Sequence, residues 1–223
     1  MNTNPLVSIL IPIYNVEKYL GKCLDSVFSQ TYKNVEYVFV DDCSTDNSYD
    51  VLMSSIEQNN IPKYKYTIVS HKQNEGIAVS RADCIAHAKG EYVQFVDSDD
   101  WLEVNMTEEM VAATNNSKID LVGCYYIKDF LSGENTCHKE NYSYSCSENL
   151  MKCINYDIST VLWKMLIKRG LFSNFSITPH IDIVEDYIIS VKLYFYANSF
   201  AIVDKYLYHY VQYNEGRVSF QTL

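Results

Sequence analysis

Four short apolar segments, each separated from the next by a helical pattern, fill the N-terminal half of the chain. The first, Leu6–Asn15, is continuous enough for a strand buried on both faces, as in a parallel sheet, and the strand is predicted to end at Pro12, which cannot donate a ladder hydrogen bond. Further strands are predicted over Val35–Val40, Tyr64–Ser70 and Tyr92–Val96. Parallel strands need helical crossover connections of this kind. The order therefore predicts an α/β domain with a mainly parallel central sheet flanked by helices.

Carboxylates follow two of these predicted strands. Asp41 and Asp42 come directly after the second strand, and Asp97, Asp99 and Asp100 follow the fourth. The carboxyl ends of parallel strands share one edge of a sheet, where ligands bind in such folds. Acids this close repel one another unless a divalent cation or sugar hydroxyls compensate them. An acidic surface turn that caps a helix is the alternative, but two clusters at one edge favour a binding site.

Composition excludes several classes of protein. With 223 residues and 48% hydrophobic content, the chain suits a single domain spanning residues 1–223. Its 28 acidic and 18 basic residues, net charge −10, argue against a nucleic-acid partner. Seven cysteines without a Cys-x-x-Cys pair suggest reduced thiols rather than disulfides or zinc. With no basic leader and no apolar run near the roughly 20 residues of a membrane span, a cytoplasmic location is predicted. Oligomeric state is left open.

The turn after the first strand lacks a glycine-rich phosphate loop. It reads Pro12-Ile-Tyr-Asn15, with neither Gly-x-Gly-x-x-Gly nor a Walker lysine. A dinucleotide-dependent dehydrogenase and a P-loop NTPase are therefore disfavoured. A bound diphosphate would be held by a metal rather than by a backbone cradle.

The remaining segments are less regular. Gly90 is interpreted as the cap of a helix over Ile77–Lys89, and residues 129–147 as a loop or short hairpin. Strands or extended pieces are predicted over Asp120–Ile127, Thr160–Ile167, Phe200–Val203 and Tyr206–Val211, and helices over Thr107–Asn116, Glu148–Ile154 and Ile183–Tyr196.

An ordered set of short motifs runs through nearly the whole chain: Val7–Asn15, Val40–Asp46, Asn74–Gly76 with Arg81, Gly90–Asp100, Trp163–Lys164 and Glu185–Asp186. In this order they resemble the inverting family-2 nucleotide-sugar glycosyltransferases of bacterial polysaccharide biosynthesis. The resemblance implies a GT-A (Rossmann-like) fold. It makes residues 1–101 the nucleotide-sugar-binding half and residues 102–223 the acceptor-binding half, with a smaller C-terminal region on the acceptor side.

The resemblance also implies roles for particular residues. Asp186 would be the catalytic base, supported by Glu185, and Asp99 would bind Mn²⁺ or Mg²⁺. Asp100 could share that role, and His209 could add a ligand, with His180 a weaker candidate. Asp42, beside Asp41, would bind the nucleobase, Asp97 the ribose, and Arg81 and Arg217 the donor and its phosphates. The other donor-binding candidates are Pro12, Tyr14, Asn15, Asn74 and Ser98.

The resemblance implies metal-dependent, inverting transfer of a sugar from a nucleotide-sugar, with a UDP-sugar as the expected donor. The acceptor would be a saccharide or lipid-linked saccharide in surface polysaccharide biosynthesis. Two alternatives stay open: a nucleotidylyltransferase that makes an activated sugar, and a non-catalytic nucleotide-sugar-binding domain. Peripheral membrane association would need partners or segments beyond Leu223, where many relatives continue. The chain departs from the family pattern at Ala82-Asp83, after Arg81, and at Val184, where a Gly is frequent.

Overall fold

The computed structural model describes residues 4–181 and 184–214. These residues form an α/β fold of one nine-stranded sheet with helices on both faces, and two 3₁₀ helices, Lys63–Lys65 and Arg169–Asn174. The strands are β1 (Val7–Ile13), β2 (Val35–Asp41), β3 (Tyr66–Ser70), β4 (Tyr92–Phe95), β5 (Trp101–Leu102), β6 (Leu121–Asp129), β7 (Asn135–His138), β8 (Met165–Lys168) and β9 (Phe200–Val211). The α-helices are α1 (Glu17–Phe28), α2 (Ser48–Gln58), α3 (Ile77–His87), α4 (Met106–Ala113), α5 (Cys146–Ile154) and α6 (Glu185–Tyr196).

The strands lie in the order β3-β2-β1-β4-β8-β6-β9-β5, and β7 forms a hairpin with β6. Strands β3, β2, β1 and β4 are mutually parallel, whereas β8 is antiparallel to β4 and to β6. The predicted α/β class with a mainly parallel central sheet is confirmed. Beyond β4, β8 runs antiparallel to both of its neighbours, whereas β6 and β9 pair in parallel.

Apolar residues on both faces of the sheet explain the continuous hydrophobic runs. Ile9 and Ile11 of β1 point into one core, beneath α1 and α2, while Leu10 between them points into the other. On α1 the buried positions Leu20, Cys23, Leu24 and Val27 follow the helical period expected from the sequence. Burial on both faces is what a central parallel strand requires.

Strand direction brings four segments to one edge of the sheet. The carboxyl ends of β2, β1 and β4 meet there because these strands are parallel. Since β8 runs antiparallel to β4, its amino end lies at the same edge. Residues 156–164, which lead into β8, therefore stand beside the acidic segment that follows β4.

Several predicted boundaries differ from the structure. Strand β1 continues through Pro12 to Ile13, and β9 is one strand where two were predicted. Within Thr160–Ile167 only the end belongs to a strand, β8. Gly90 does not cap α3, which ends at His87 with Ala88 following it. A Cβ on Gly90 would instead lie 2.6 Å from the backbone nitrogen of Ser8, so close packing against β1 requires glycine there.

Helix α6 is described from Glu185, and Ile183 lies outside the described residues. Within the described ranges no helix combines the length and the apolar character needed to cross a membrane.

Candidate active site

A cavity of about 590 Å³ opens at this edge of the sheet. It brings together ten of the predicted functional residues, from the ends of β1, β2 and β4, the start of α3 and the start of α6. These are Pro12, Tyr14, Asp42, Asn74, Arg81, Asp97, Ser98, Asp99, Glu185 and Asp186.

Asp42 joins the end of β2 to the loop before α3. Its Oδ1 accepts a hydrogen bond from the backbone N–H of Glu75 at 2.8 Å, and its Oδ2 accepts one from Gly76 at 2.9 Å. His71 Nδ1 lies 2.6 Å from the same Oδ1, and His71 Nε2 lies 2.9 Å from Asp83 Oδ2. Burial would lower the pKa of His71, but hydrogen bonding to the two carboxylates raises it. Asp42 is thus held in a fixed orientation at the cavity wall.

Asn15 and Asp41 do not line the cavity. The side-chain oxygen of Asn15 accepts a hydrogen bond from the Thr45 backbone N–H at 2.8 Å, and Asp41 Oδ1 accepts one from Ser44 at 3.3 Å. Their oxygens hold the loop after β2 in place. Their predicted direct contact with the donor is therefore corrected to support of this loop.

The acidic segment after β4 divides between cavity and core. Asp97 and Asp99 line the cavity, whereas Asp100 is buried, with 1% of its surface exposed. Asp100 Oδ2 accepts a hydrogen bond from the Tyr208 hydroxyl at 2.9 Å, and Oδ1 accepts one from the Val211 backbone N–H at 2.8 Å. The prediction that Asp100 shares the metal is corrected, because both of its oxygens are engaged with β9.

His209 is also placed away from the cavity. Its Nε2 lies 2.9 Å from Glu103 Oε1 and its Nδ1 lies 3.1 Å from Asp129 Oδ1, while its ring stacks on Trp101. Both ring nitrogens face carboxylates, which corrects the prediction of a metal ligand. His180 is exposed and does not line the cavity. Arg217 lies outside the described residues, so its predicted role is not addressed by the structure.

Arg81 connects the acidic segment after β4 to the two acids at the start of α6. Its Nη2 lies 3.2 Å from Asp97 Oδ1 and 3.1 Å from Asp186 Oδ1, and its Nε lies 3.7 Å from Glu185 Oε1. The guanidinium is almost fully buried and packs over the Phe95 ring. Burial alone would lower the pKa of Arg81, but the three carboxylates raise it above its usual value. One cation thus fixes acids from two different elements.

The two acids at the start of α6 are harder to ionise than exposed carboxylates. Burial raises the pKa of Asp186 to about 6; Arg81 opposes this shift and Asp97 adds to it. Burial and the neighbouring Asp186 likewise raise the pKa of Glu185. The Leu162 backbone N–H donates a hydrogen bond to the Asp186 carboxylate, which favours its ionised form. A carboxylate with a raised pKa is suited to accept a proton near neutral pH.

The described lining of the cavity is strongly acidic. It carries the carboxylates of Asp42, Asp97, Asp99, Glu185 and Asp186, with Arg81 as its basic residue. Within residues 4–181 and 184–214, no three metal-binding side chains converge as they would in an all-protein metal centre. Mg²⁺ at phosphate sites is commonly held by one or two carboxylates and completed by the substrate's phosphates. Asp99, which lines the cavity, fits such an open site.

The sequence did not single out several residues that shape the cavity. Tyr156, Val161, Trp163 and Tyr187 line it, and Trp163 stacks on the buried Tyr208 with ring centroids 4.2 Å apart. Trp163 was seen only as part of a motif. The tyrosines carried no positional signal, because their place depends on how β8 and α6 pack against β4.

The comparisons with known proteins agree with this geometry. The family model described as "Glycosyl transferase family 2" matches residues 8–175, which is well over half of the chain. The chain belongs to glycosyl transferase family 2. Among its family 2 relatives, glycosyltransferase GlyA of Streptococcus pneumoniae is 32% identical over 215 residues, covering 92% of this chain and 30% of GlyA. The poly(ribitol-phosphate) beta-glucosyltransferase of Bacillus spizizenii is 31% identical, and the match covers 94% of this chain and 33% of that protein.

Solved structures show the same fold. Crystalline S. aureus TarS, residues 1–349 with UDP-GlcNAc, aligns with a TM-score of 0.80 at 21% identity, covering 97% of this family 2 chain and 61% of TarS. A mannosyltransferase from Pyrobaculum calidifontis with GDP-Man and Mn²⁺ aligns with a TM-score of 0.69 at 18% identity, covering 96% and 58%. The predicted GT-A fold is thereby confirmed. The chain spans 60% or less of the length of the first curated relatives that it matches.

Proposed function

We propose that this chain catalyses transfer of a sugar from a UDP-sugar to a saccharide or lipid-linked saccharide acceptor, with inversion at the anomeric carbon. Relatives named as glycosyltransferases and the UDP-GlcNAc complex of TarS support the choice of donor class. The B. spizizenii relative is named for a wall-polymer acceptor, which supports a cell-surface glycan as the product. The family match offers no support for a nucleotidylyltransferase.

One observation carries the proposal. A single nitrogen of Arg81 contacts both Asp97, at the end of β4, and Asp186, at the start of α6. The donor-side acid and the candidate base therefore face the same small volume. A donor whose ribose is held by the first would present the anomeric carbon of its transferable sugar to an acceptor hydroxyl held by the second.

The chemistry is a single displacement. Asp186 takes the proton of the acceptor hydroxyl while that oxygen forms a bond to the anomeric carbon. The bond from the anomeric carbon to the phosphate oxygen breaks, and its electron pair leaves with UDP. Asp42 would accept a hydrogen bond from the uracil N–H, and Asp97 would accept bonds from the ribose hydroxyls. Arg81 would orient Asp186 and balance its charge, and Glu185 would support it at the start of α6.

The acidic cavity needs positive charge to receive a diphosphate. Asp99 would hold Mn²⁺ or Mg²⁺, which would supply Lewis-acid stabilisation of the departing diphosphate when bound. The Mn²⁺ in the P. calidifontis structure supports a divalent ion in this fold. Arg217 is proposed to add a second cation toward the phosphates. Residues 1–101 would form the donor half and residues 102–223 the acceptor half of a cytoplasmic enzyme acting at the inner face of the membrane.

Two measurements test the proposal. Calorimetric titration of UDP, CDP and GDP in the presence of Mn²⁺ should show selective binding of UDP, and a chelator should abolish it. Substituting Asp186→Asn should leave UDP binding intact. It should lower sugar transfer from the matching UDP-sugar by about a thousandfold or more, because the base that accepts the proton of the acceptor hydroxyl is lost.

The control is Asp25→Asn, an exposed change on α1 outside the cavity. It should retain both binding and transfer. Folded protein that binds none of the three nucleotides would contradict the donor assignment. Full transfer activity in the Asp186→Asn variant would remove its role as base.

A further inference from the structure

The cavity has two ends whose positions follow from the strand order. Asp42 and Tyr14 lie beyond β2 and β1, on one side of the acidic segment after β4. The segment 156–164 lies on the other side, because β8 pairs with β4 on the edge away from β1. A donor nucleotide held by Asp42 would leave this second end free. The following inference rests on the proposed function and concerns that end.

Two tyrosines lie face to face at the second end. The rings of Tyr156 and Tyr187 have centroids 5.1 Å apart and planes inclined by 14°. Tyr187 is half-buried, whereas Tyr156 is 68% exposed although it lines the cavity. Tyr187 thus backs one face of Tyr156 and leaves much of that ring accessible. The backbone of Tyr156 also has a φ of 60°, a costly conformation for a tyrosine.

The wall behind the tyrosine pair is firmly anchored. The Lys164 ammonium is fully buried and donates hydrogen bonds to Glu140 Oε1 and to the Ser159 carbonyl, each at 2.6 Å. The Ser190 hydroxyl of α6 donates one to the Thr160 carbonyl at 2.8 Å. Residues 159–164 are therefore tied both to Glu140 and to α6.

The tyrosine pair lies beside the candidate base. Tyr187 follows Asp186 directly in the first turn of α6, and Leu162 of the anchored wall donates to the Asp186 carboxylate. A group resting on Tyr156 would lie in the cavity that Asp186 also lines. An acceptor hydroxyl must enter this cavity to transfer its proton to Asp186.

We propose that Tyr156, backed by Tyr187, is a stacking platform for an uncharged pyranose ring of the acceptor. Aromatic faces attract the weakly positive C–H groups of a sugar ring, whose hydroxyls project sideways. The charges on the described wall favour a neutral ring over a phosphate. Asp157 lies beside Tyr156, and the one basic residue of the segment, Lys164, is buried and already bonded to Glu140.

Saturation-transfer NMR tests the platform in the full chain. The probes are the methyl glycosides of glucose, galactose and N-acetylglucosamine at millimolar concentration, each measured with and without UDP and Mn²⁺. At least one should show saturation strongest at its ring C–H protons. The Tyr156→Ala variant should weaken its binding about three- to tenfold, as expected for loss of one aromatic contact. Tyr156→Phe should keep it.

The control variant is Tyr64→Ala, which removes a tyrosine that is 81% exposed and lies outside this cavity. It should bind like the unmodified chain, and Tyr156→Ala should bind UDP normally. Absence of saturation with all three probes, or equal saturation in Tyr156→Ala, would overturn the platform. Loss of UDP binding in the unmodified chain would instead count against the proposed function, since the glycosides are also measured without nucleotide.

Discussion

At the scale of single residues, the ionisation of Asp186 links catalysis to pH. Its pKa is raised from an ordinary value near 3.8 to about 6, chiefly by burial. The proposed base works only when ionised, so the rate of sugar transfer should rise about tenfold per pH unit below about pH 6 and level off above it. Initial rates measured from about pH 4.5 to pH 8 check this. A rate that stays flat below pH 6 would contradict it.

The same shift predicts an effect on stability. A carboxyl with a raised pKa in the folded state binds more protons folded than unfolded, so stability is lost as pH rises through the window from 3.8 to about 6. Asp186→Asn should therefore stabilise the chain above about pH 6, by an amount on the order of 1 kcal/mol, and much less near pH 4. Urea unfolding at the two pH values measures the difference. Asp25→Asn, with an exposed side chain, should show no such pH dependence.

The same substitution at the neighbouring acids Asp99 and Asp100 should affect different properties, which are UDP binding for Asp99 and stability for Asp100. Asp99→Asn should abolish metal-dependent UDP binding and change the free energy of unfolding little. Asp100→Asn should lower that free energy by about 1–3 kcal/mol, because hydrogen bonds to Tyr208 and Val211 are weakened in a buried site. Calorimetry and urea unfolding of both variants separate the roles. Equal effects of the two changes on stability would contradict this division.

At the scale of elements, the contact between Gly90 and β1 is a strict packing requirement. A Cβ at Gly90 would lie 2.6 Å from Ser8 N and 2.7 Å from Tyr92 O, both backbone atoms that cannot move freely. Gly90→Ala should therefore destabilise the chain by about 1–3 kcal/mol or more. The matched change Gly21→Ala, in α1 with nothing within 4 Å of the added atom, should stabilise it by about 0.5–1 kcal/mol. Urea midpoints that move in the same direction would contradict this account.

The elements also show what the sequence could and could not predict. Strands β1, β2 and β4 were predictable because a continuous apolar run marks a strand buried on both faces, whichever strands pair with it. Strand β9 was split in error because Asp204-Lys205 looks like a turn. In the structure these residues are exposed within the strand and form ion pairs with Lys139 and Glu109. Asp204 and Lys205 thus interrupt the apolar pattern of the sequence, although the strand runs through them.

The candidate site was predictable to a similar degree. Carboxylates at strand ends share an edge by topology alone, so Asp42, Asp97 and Asp99 were correctly brought together. Asp100 and Asn15 could not be separated from them, since a loop's conformation decides whether a side chain faces the cavity or the protein. Tyr156 depended on the antiparallel pairing of β8, which no local pattern encodes.

At the scale of the whole molecule, the net charge should affect the rate at which the proposed nucleotide donor associates. The chain has a net charge of −10, and several of its carboxylates line the cavity beside the buried Arg81. UDP is an anion, so at a fixed, saturating concentration of Mn²⁺ its association rate should rise with added salt, because screening shortens the range of the repulsion to about 8 Å at physiological ionic strength. Stopped-flow measurements over a salt series check this. An association rate that falls with salt would contradict the repulsion.

The two ends of the cavity come from separate stretches of chain. The end proposed to bind the donor is lined by residues before Asp100, whereas the opposite wall is lined by residues 156–164 and the start of α6. Under the proposed function, such a division would let one substrate preference change without disturbing the other. Grafting the later stretch between relatives, with Lys164 and Glu140 kept as its anchor, would then exchange the choice of acceptor while the choice of nucleotide is inherited from the recipient.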